Sequence, residues 1–308
     1  MISLLTSLKP FRGEAIRLQE NALANWRRLG ADVEIIIYGG GEGIAERAQR
    51  FGARHVPDIH GNLKGIPDFA AIAKHAAAHA KYDRQVYLNG DILLPPDFVE
   101  QVNRVIYQDF LVVGQRIDLS QEAVFNPLAA DWNGEIMGCC RTGHAHLHNS
   151  SGQDYFVFPR GLWKDLLPLI VGRGGYDNAL VAFCLRRRIP IVDATWVLHV
   201  VHQWHDYSHV KGSAETFQGT DALANAHLHD IEHSNPDIED ADWRMTLEHI
   251  VKSPGSSNPF RRIEVQLRYR MSLKVVSYGL RAITRMAWFV GCLKPRNLPL
   301  ESIIECQD

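Results

Sequence analysis

The chain has 308 residues, 46% hydrophobic and 22% charged, with a formal net charge of −2 at pH 7. That is the balance of a soluble globular protein, long enough for one large domain or one domain with an extension, and it carries no electrostatic sign of nucleic-acid binding. The five cysteines (Cys139, Cys140, Cys184, Cys292, Cys306) are odd in number, irregular in spacing and lack a C-x-x-C pair, which speaks against a disulfide framework or a thiolate zinc site and for a reducing compartment.

The opening residues, MISLLTSLKPF, lack a basic stretch before a sustained apolar core, so no secretory signal is read there. No apolar run reaches the roughly 18–20 residues that span a bilayer. The expected location is the cytoplasm. Ile2 to Leu8 reads as a first strand with Thr6 and Ser7 near its end. Residues 13–29 place Ala15, Leu18, Ala22, Leu23, Trp26 and Leu29 at spacings of three and four, which predicts an amphipathic helix ended by Gly30. VEIIIY, Val33 to Tyr38, predicts a strand buried on both faces of a parallel sheet. Gly39 to Gly43 is a turn, Ile44 to Phe51 a short helix and Arg54 to Pro57 a short strand.

Pro67 to Tyr82 is Ala-rich and predicts a helix with Pro67 at its first position. Arg84–Leu88 reads as strand, Pro96–Tyr107 as helix and Phe110–Arg116 as strand. This alternation predicts an α/β fold with a mostly parallel sheet flanked by helices. Residues 118–152 are loop-rich. Tyr155–Phe158 predicts a strand, Gly161–Ile170 and Asp177–Arg187 helices, and Pro190–Ala194 and Trp196–Val201 strands. From about Ser213 the sequence is polar and His-rich, then basic and helical from Phe260. The expected division is a catalytic domain over residues 1–212 and a mostly helical extension over residues 213–308.

Three stretches offer chemistry. Asn89-Gly90-Asp91 follows a strand. A carboxylate there, beside a glycine that lets the backbone come close, can reach a divalent metal or a sugar hydroxyl; taken alone, N-G-D before P-P reads first as a polar turn. Residues 199–209 hold His199, His202, His205 and His209 after a strand, and imidazole binds transition metals well; a surface or hydrogen-bonded core cluster is the alternative. Gly172-Arg173-Gly174-Gly175 delivers Asp177 to a helix start, as an N-cap or as a general base. GGGEG at 39–43 fails the dinucleotide pattern, because Ile44 stands where its last glycine is needed. His144, His146 and His148 alternate with nothing nearby in sequence to complete a metal set, so they read as solvated loop.

Taken in order, the Thr-Ser strand end, VEIIIYG, N-G-D, DYFVFPRGLW, GYDNALV and the terminal His cluster resemble the GT-A-fold, nucleotide-sugar-dependent glycosyltransferases of family 2 type. The likeness is nearer to a group with Asn-x-Asp-Ile, D-[YF]-F-x-F-P and H-Q-x-H-D-Y-x-H signatures, and covers roughly residues 1–212. It implies a GT-A-like, Rossmann-related sheet and a donor that is a nucleoside-diphosphate sugar of UDP or GDP type. It implies a glycan or lipid-linked acceptor and a divalent cation, Mn²⁺ or Mg²⁺. By the same resemblance Thr6, Ser7, Tyr38, Gly39, Asn89 and Gly90 would lie at the nucleotide sugar, Asp91 and His202 at the metal, and Asp154, Tyr155 and His205 at the acceptor or in a secondary role. Asp177 would be the base of an inverting transfer. The chain departs from the usual D-x-D at Asn89, and from the usual Glu-Asp pair at Tyr176-Asp177.

Two other functions fit part of the pattern. A sugar nucleotidyltransferase would show a Gly-rich basic loop after the first strand, where this chain reads TSLKPFRG. A degenerate module that binds nucleotide or glycan without turnover is motivated by Asn89. Finally, residues 260–296 carry seven Arg, two Lys and one Glu, net +8, leaving −10 on the rest. Interleaved with apolar residues such as Trp288 and Phe289, they suit peripheral contact with an anionic membrane on its cytoplasmic face. The alternative is helices packed with their Arg residues facing the acidic body.

Overall fold

The unbroken β-branched runs of the N-terminal half form the middle of one sheet, because strands covered on both faces need apolar residues at successive positions. The computed structural model describes residues 1–205, 213–232, 235–256, 258–274, 276, 277 and 279. In chain order come β1 (Ile2–Ser7), α1 (Glu14–Arg27), β2 (Val33–Tyr38), α2 (Ile44–Arg50), β3 (Arg54–Val56), α3 (Phe69–His79), β4 (Arg84–Leu88), β5 (Ile92–Leu93), α4 (Phe98–Asn103), β6 (Leu111–Val113) and β7 (Ile117–Leu119). They are followed by α5 (Trp132–Arg141), β8 (Ala145–Leu147), β9 (Tyr155–Pro159), α6 (Tyr176–Arg187), β10 (Ile191–Asp193), β11 (Val201–His202), α7 (Ser213–Gln218), α8 (Thr220–Leu228), β12 (Trp243–Met245), β13 (Ile250–Lys252) and α9 (Pro259–Val265).

Nine strands form the main sheet in the order β13-β12-β10-β6-β9-β4-β1-β2-β3. Only β9 and β13 pair antiparallel with their neighbours; the other pairs are parallel. The fold is therefore α/β with a large, mostly parallel sheet flanked by helices. Alternation sorts the side chains between two cores. Leu4, Ile35 and Ile37 join Trp26 of α1 on one face, while Leu5, Ile36 and Tyr38 join Phe69 and Ile72 of α3 on the other. Each fully buried aliphatic side chain contributes roughly 1.5–3 kcal/mol, so these two covers fix the strands whose ends carry the site.

A second sheet, β5-β11-β7-β8, is not hydrogen-bonded to the first, but its Ile92, Ile117 and Val201 pack into the same core as Leu4. Its register sets one row: Ile92 opposite His202, His202 opposite Asp118, and Asp118 opposite His146. Residues 144–148, expected as solvated loop, thus contribute a strand.

Several elements differ from expectation for local reasons. Helix α3 starts at Phe69, because Asp68 rather than Pro67 caps it by accepting from Ala70 N at 2.9 Å. Residues 161–170 make successive turns instead of a helix (Lys164 N to Gly161 O, Leu166 N to Trp163 O); Pro168 has no N–H to continue a helix. Residues 194–198 close a turn, Leu198 N to Ala194 O at 2.8 Å, so the last strand shortens to Val201–His202. Past the division expected at residue 212, β12 pairs with β10 and continues the main sheet.

α9 and the turn after it lay Val265 and Tyr269 into the core. Arg261 pairs with Asp237 and Asp240, Arg268 with Asp230, and Arg270 with Asp242. At these residues the basic charge faces the acidic body, as in the packed alternative. Trp288 and Phe289, on which the membrane expectation leaned, lie outside the described residues, as does His209. Among the described residues no helix is long and apolar enough to cross a membrane.

Candidate metal centre and active site

The carboxyl ends of β4, β1 and β2 lie side by side, since Leu5 pairs with both Tyr87 and Ile36. Asn89-Gly90-Asp91 leaves the sheet at this edge and turns into β5, with Ile92 N donating to Asn89 O at 3.3 Å. A Cβ on Gly90 would come within 2.6 Å of Leu8 Cδ2, so glycine lets the turn lie against the end of β1. α1 braces the segment from behind. Trp26 Nε1 donates to Ile92 O at 2.9 Å, and the Asn25 amide brackets Leu94, donating to its carbonyl at 3.1 Å and accepting from its N–H at 2.8 Å.

β11 brings the histidines to this turn by pairing with β5. Gln203 then ties the chain down: its Nε2 donates to Asp91 O at 3.1 Å and to Leu18 O at 2.9 Å, and its Oε1 accepts from Asn21. As a result Asp91, His202 and His205 each bring one ligating atom into a group whose members lie within 4.8 Å of one another. His202 Nε2 stands 3.7 Å and His205 Nε2 3.5 Å from Asp91 Oδ2. Asp91 Oδ1 is buried and has no hydrogen-bond partner among the described residues.

Burial acts to raise the Asp91 carboxyl, but the adjoining His202 and His205 imidazoles, with the charges of His202 and Lys9, hold it well below the usual carboxylate range. Burial acts to lower His202, yet Asp118 and Asp91 push it up to about 9. One carboxylate and two imidazoles make a donor set that suits Mn²⁺ better than Mg²⁺, which prefers oxygen throughout. A buried carboxylate oxygen without a partner is costly, and a divalent cation is the kind of group that satisfies it. The residues present fit such an ion.

Asn89 does not join that trio. Its Nδ2 donates to Asp154 Oδ1, its Oδ1 accepts from Tyr176 OH at 3.2 Å, and Arg116 Nη1 donates to the other Asp154 oxygen. An amide can serve an acceptor and a donor at once. A carboxylate at this position would set its charge against that of Asp154, which gives the departure from D-x-D a local cause.

Asp177 sits in the first turn of α6, behind Gly175 at φ 79°, so the glycine and not Asp177 is the cap. Asp177 is partly exposed. Even so, the protein crowding its carboxyl pushes it up to about 7; the Asn178 N–H at 2.9 Å opposes this and the charge of Asp154 adds to it. A carboxyl tuned near 7 suits proton abstraction at neutral pH. Its chain neighbour Tyr176 hydrogen-bonds Asn89 of the N-G-D turn, and the charges of Asp154 and Arg116 reach the Asp177 carboxyl.

Other expected residues turn inward. Thr6 is fully buried and its hydroxyl donates to Leu88 O at 2.9 Å, tying β1 to β4. Tyr38 is also buried, with its hydroxyl 3.2 Å from His75 Nδ1. Tyr155 packs against Phe98 in the core, so its ring does not line an acceptor surface. Their strands bury every side chain at these positions. Ser7 is half-buried at the end of β1, and Gly39, at φ 91°, is packed under Pro67. His199 is a core residue on Asn133, 2.9 Å away, and burial lowers it to about 4.

Sequence reasoning missed Arg116, Asp118, His148 and Gln203. Asp118 accepts from Arg116 Nε at 2.7 Å and lies 2.6 Å from His148 Nδ1 and 3.3 Å from His202 Nδ1. Burial acts to raise it, but His148, His202 and Arg116 hold it far below the usual range. The polar–apolar alternation of Arg116-Ile117-Asp118-Leu119 was the available signal, because residues two apart in a strand face one side.

No protein-family model and no curated protein matches the chain. Among solved structures, the chain is similar to a Desulfovibrio desulfuricans protein described as a nucleotide-diphospho-sugar transferase, at 13% identity over 76% of this chain and 98% of that one, TM-score 0.41. It is similar to glucosyl-3-phosphoglycerate synthase from Mycobacterium tuberculosis, in complex with Mn²⁺, UDP and glucosyl-3-phosphoglycerate, at 18% identity over 84% and 88%, TM-score 0.44. A mannosyltransferase from Pyrobaculum calidifontis, in complex with GDP-Man and Mn²⁺, is similar at 13% identity over 76% and 65%, TM-score 0.45.

Proposed function

We propose that the chain is a glycosyltransferase that moves a sugar from a nucleoside-diphosphate sugar, of UDP or GDP type, to a hydroxyl of a glycan or lipid-linked acceptor, with inversion at the anomeric carbon. The observation that carries this reading is the convergence of His202 and His205 on the Asp91 carboxylate, whose other oxygen is buried and has no hydrogen-bond partner among the described residues. They meet at the carboxyl edge of a parallel sheet, where α/β folds bind their ligands. These three side chains would hold the divalent cation, whose charge at the diphosphate supplies Lewis-acid stabilisation of the leaving group. Ser7, Gly39 and Gly90, at neighbouring strand ends, form the nucleotide side. Asp177 takes the proton of the acceptor hydroxyl. Asp154, held by Asn89 and Arg116, lies on the acceptor side with its charge close enough to tune Asp177.

The test is nucleotide release from a panel of UDP- and GDP-sugars with Mn²⁺ or with EDTA. Release that needs Mn²⁺ and disappears in Asp91→Ala supports the reading. Equal release by Asp91→Ala, or release indifferent to EDTA, refutes it. Mn²⁺-dependent nucleotide binding without release or transfer across the panel would make the chain a binding module instead.

A further inference from the structure

We propose that Asp118 is a positioning residue: it holds the Nδ1 proton of His202 and so presents Nε2 of that ring to the Asp91 corner. The inference rests on the reading of Asp91, His202 and His205 as the cation site. Strand register puts the pair together, since His202 and Asp118 are direct partners across β11 and β7. Nδ1 of His202 stands 3.3 Å from Asp118 Oδ1, while Nε2 faces Asp91 Oδ2 at 3.7 Å. The two ring nitrogens are committed to different carboxylates.

Asp118 has little freedom to turn. Its Oδ1 also accepts from Arg116 Nε at 2.7 Å. Its Oδ2 lies 2.6 Å from His148 Nδ1 and 3.7 Å from His146 Nε2. The His148 ring is seated in turn by Gly152, where a Cβ would meet its Cδ2 at 2.5 Å. The backbone closes the same unit: His148 N donates to Arg116 O at 2.9 Å, and Arg116 N to Gly152 O at 3.3 Å. Nitrogen groups thus surround one carboxylate on both oxygens. A carboxylate accepts at both, whereas an amide accepts at one and donates at the other, so Asp118→Asn turns an N–H onto a ring or guanidinium that needs an acceptor. A metal-ligating histidine whose other N–H is held by a carboxylate gains a fixed orientation and basicity, and losing that partner weakens metal binding about 10–100-fold.

The experiment is Mn²⁺ titration of the full chain without nucleotide, read by electron paramagnetic resonance. Asp118→Asn should weaken binding roughly 10–100-fold, and should add less than about threefold in a His202→Ala background, because its effect runs through that ring. Asp91→Ala checks the underlying reading: undiminished Mn²⁺ binding there means the cation site itself is misassigned. Loss in Asp91→Ala with wild-type affinity in Asp118→Asn overturns the positioning role alone. An equal loss with and without His202 overturns it too, since a merely structural defect would not depend on that ring. Should Asp118→Asn fail to fold, long-range ¹H–¹⁵N spectra of the wild-type chain with Zn²⁺ decide. Ligation of His202 through Nε2 with a proton on Nδ1 is expected, and ligation through Nδ1 overturns the proposal.

Discussion

Replacing Asp177 with Asn should slow transfer and, in alkaline solution, stabilise the protein. The Asp177 carboxyl titrates near 7 in the fold against 3.8 for an ordinary one, chiefly through burial. The folded state therefore keeps a proton that the unfolded chain releases from about pH 4 upward. Stability is lost as pH rises through that window, until the folded carboxyl also ionises near 7. About three pH units at ~1.4 kcal/mol each set an upper bound of about 4 kcal/mol on the loss, and solvent reaching this partly exposed carboxyl lowers it. An Asn side chain carries no such penalty. The stability difference between variant and wild type should widen by up to about 4 kcal/mol from roughly pH 4 to roughly pH 8, measured by urea unfolding at a series of pH values. Over the same range wild-type transfer should rise through about pH 7 as the base loses its proton. The variant should turn over roughly 10²–10⁴-fold more slowly, with donor affinity nearly unchanged. A stability difference that stays flat with pH would show that Asp177 titrates normally and that the burial argument is wrong. An Asn variant with near-normal turnover would remove Asp177 as the base.

Asn89→Asp should set a second carboxylate against Asp154 in place of the donated bond, lowering stability by about 1–3 kcal/mol without tightening Mn²⁺ binding; thermal unfolding and a Mn²⁺ titration check both. Gly152→Ala should drive a methyl into the His148 ring, costing about 1–3 kcal/mol, and the same two assays should show a lower melting temperature with weaker Mn²⁺ binding. For the tail, anionic vesicles at low salt should sediment the full chain but not a chain ending at Gly279, which keeps the Arg261, Arg268 and Arg270 pairs; equal sedimentation of both would place any membrane contact elsewhere.

The central strands were legible because their signal is nearly continuous: VEIIIY and the run before Asn89 are buried on both faces at all but Glu34 and Arg84. Asp91 and His202 were legible as a pair because both were expected at strand ends. The second sheet was not. Its strands are two or three residues long, too short for periodicity to declare itself. Its pairings join residues 92, 118, 146 and 202, which no local window contains. Leu162, Leu166 and Leu169 carry a helical spacing, yet Asp68 captures Leu169 N at 2.8 Å and the segment folds as turns around that tertiary bond. Thr6 and Tyr38, which the resemblance placed at the nucleotide, are both buried, and a polar group buried in a sheet must first be satisfied inside it.

The small sheet also bears on how the protein reaches its working state. Its pairings close loops of very different length, the longest joining Ile92 to His202, so much chain must be ordered before they form. Contacts of that separation form slowly. β11 is only two residues long, and although Val201 packs into the same core as Leu4, so short a strand is the expected place for a local opening. Amide exchange at Val201 and His202 should then be faster than at Leu4 or Ile36, and should slow when Mn²⁺ is added. A cation held by Asp91 and His202 would act as a staple on a strand held by few backbone pairs of its own, and metal affinity would fall in any variant that loosens that docking, however far it lies from the ligands.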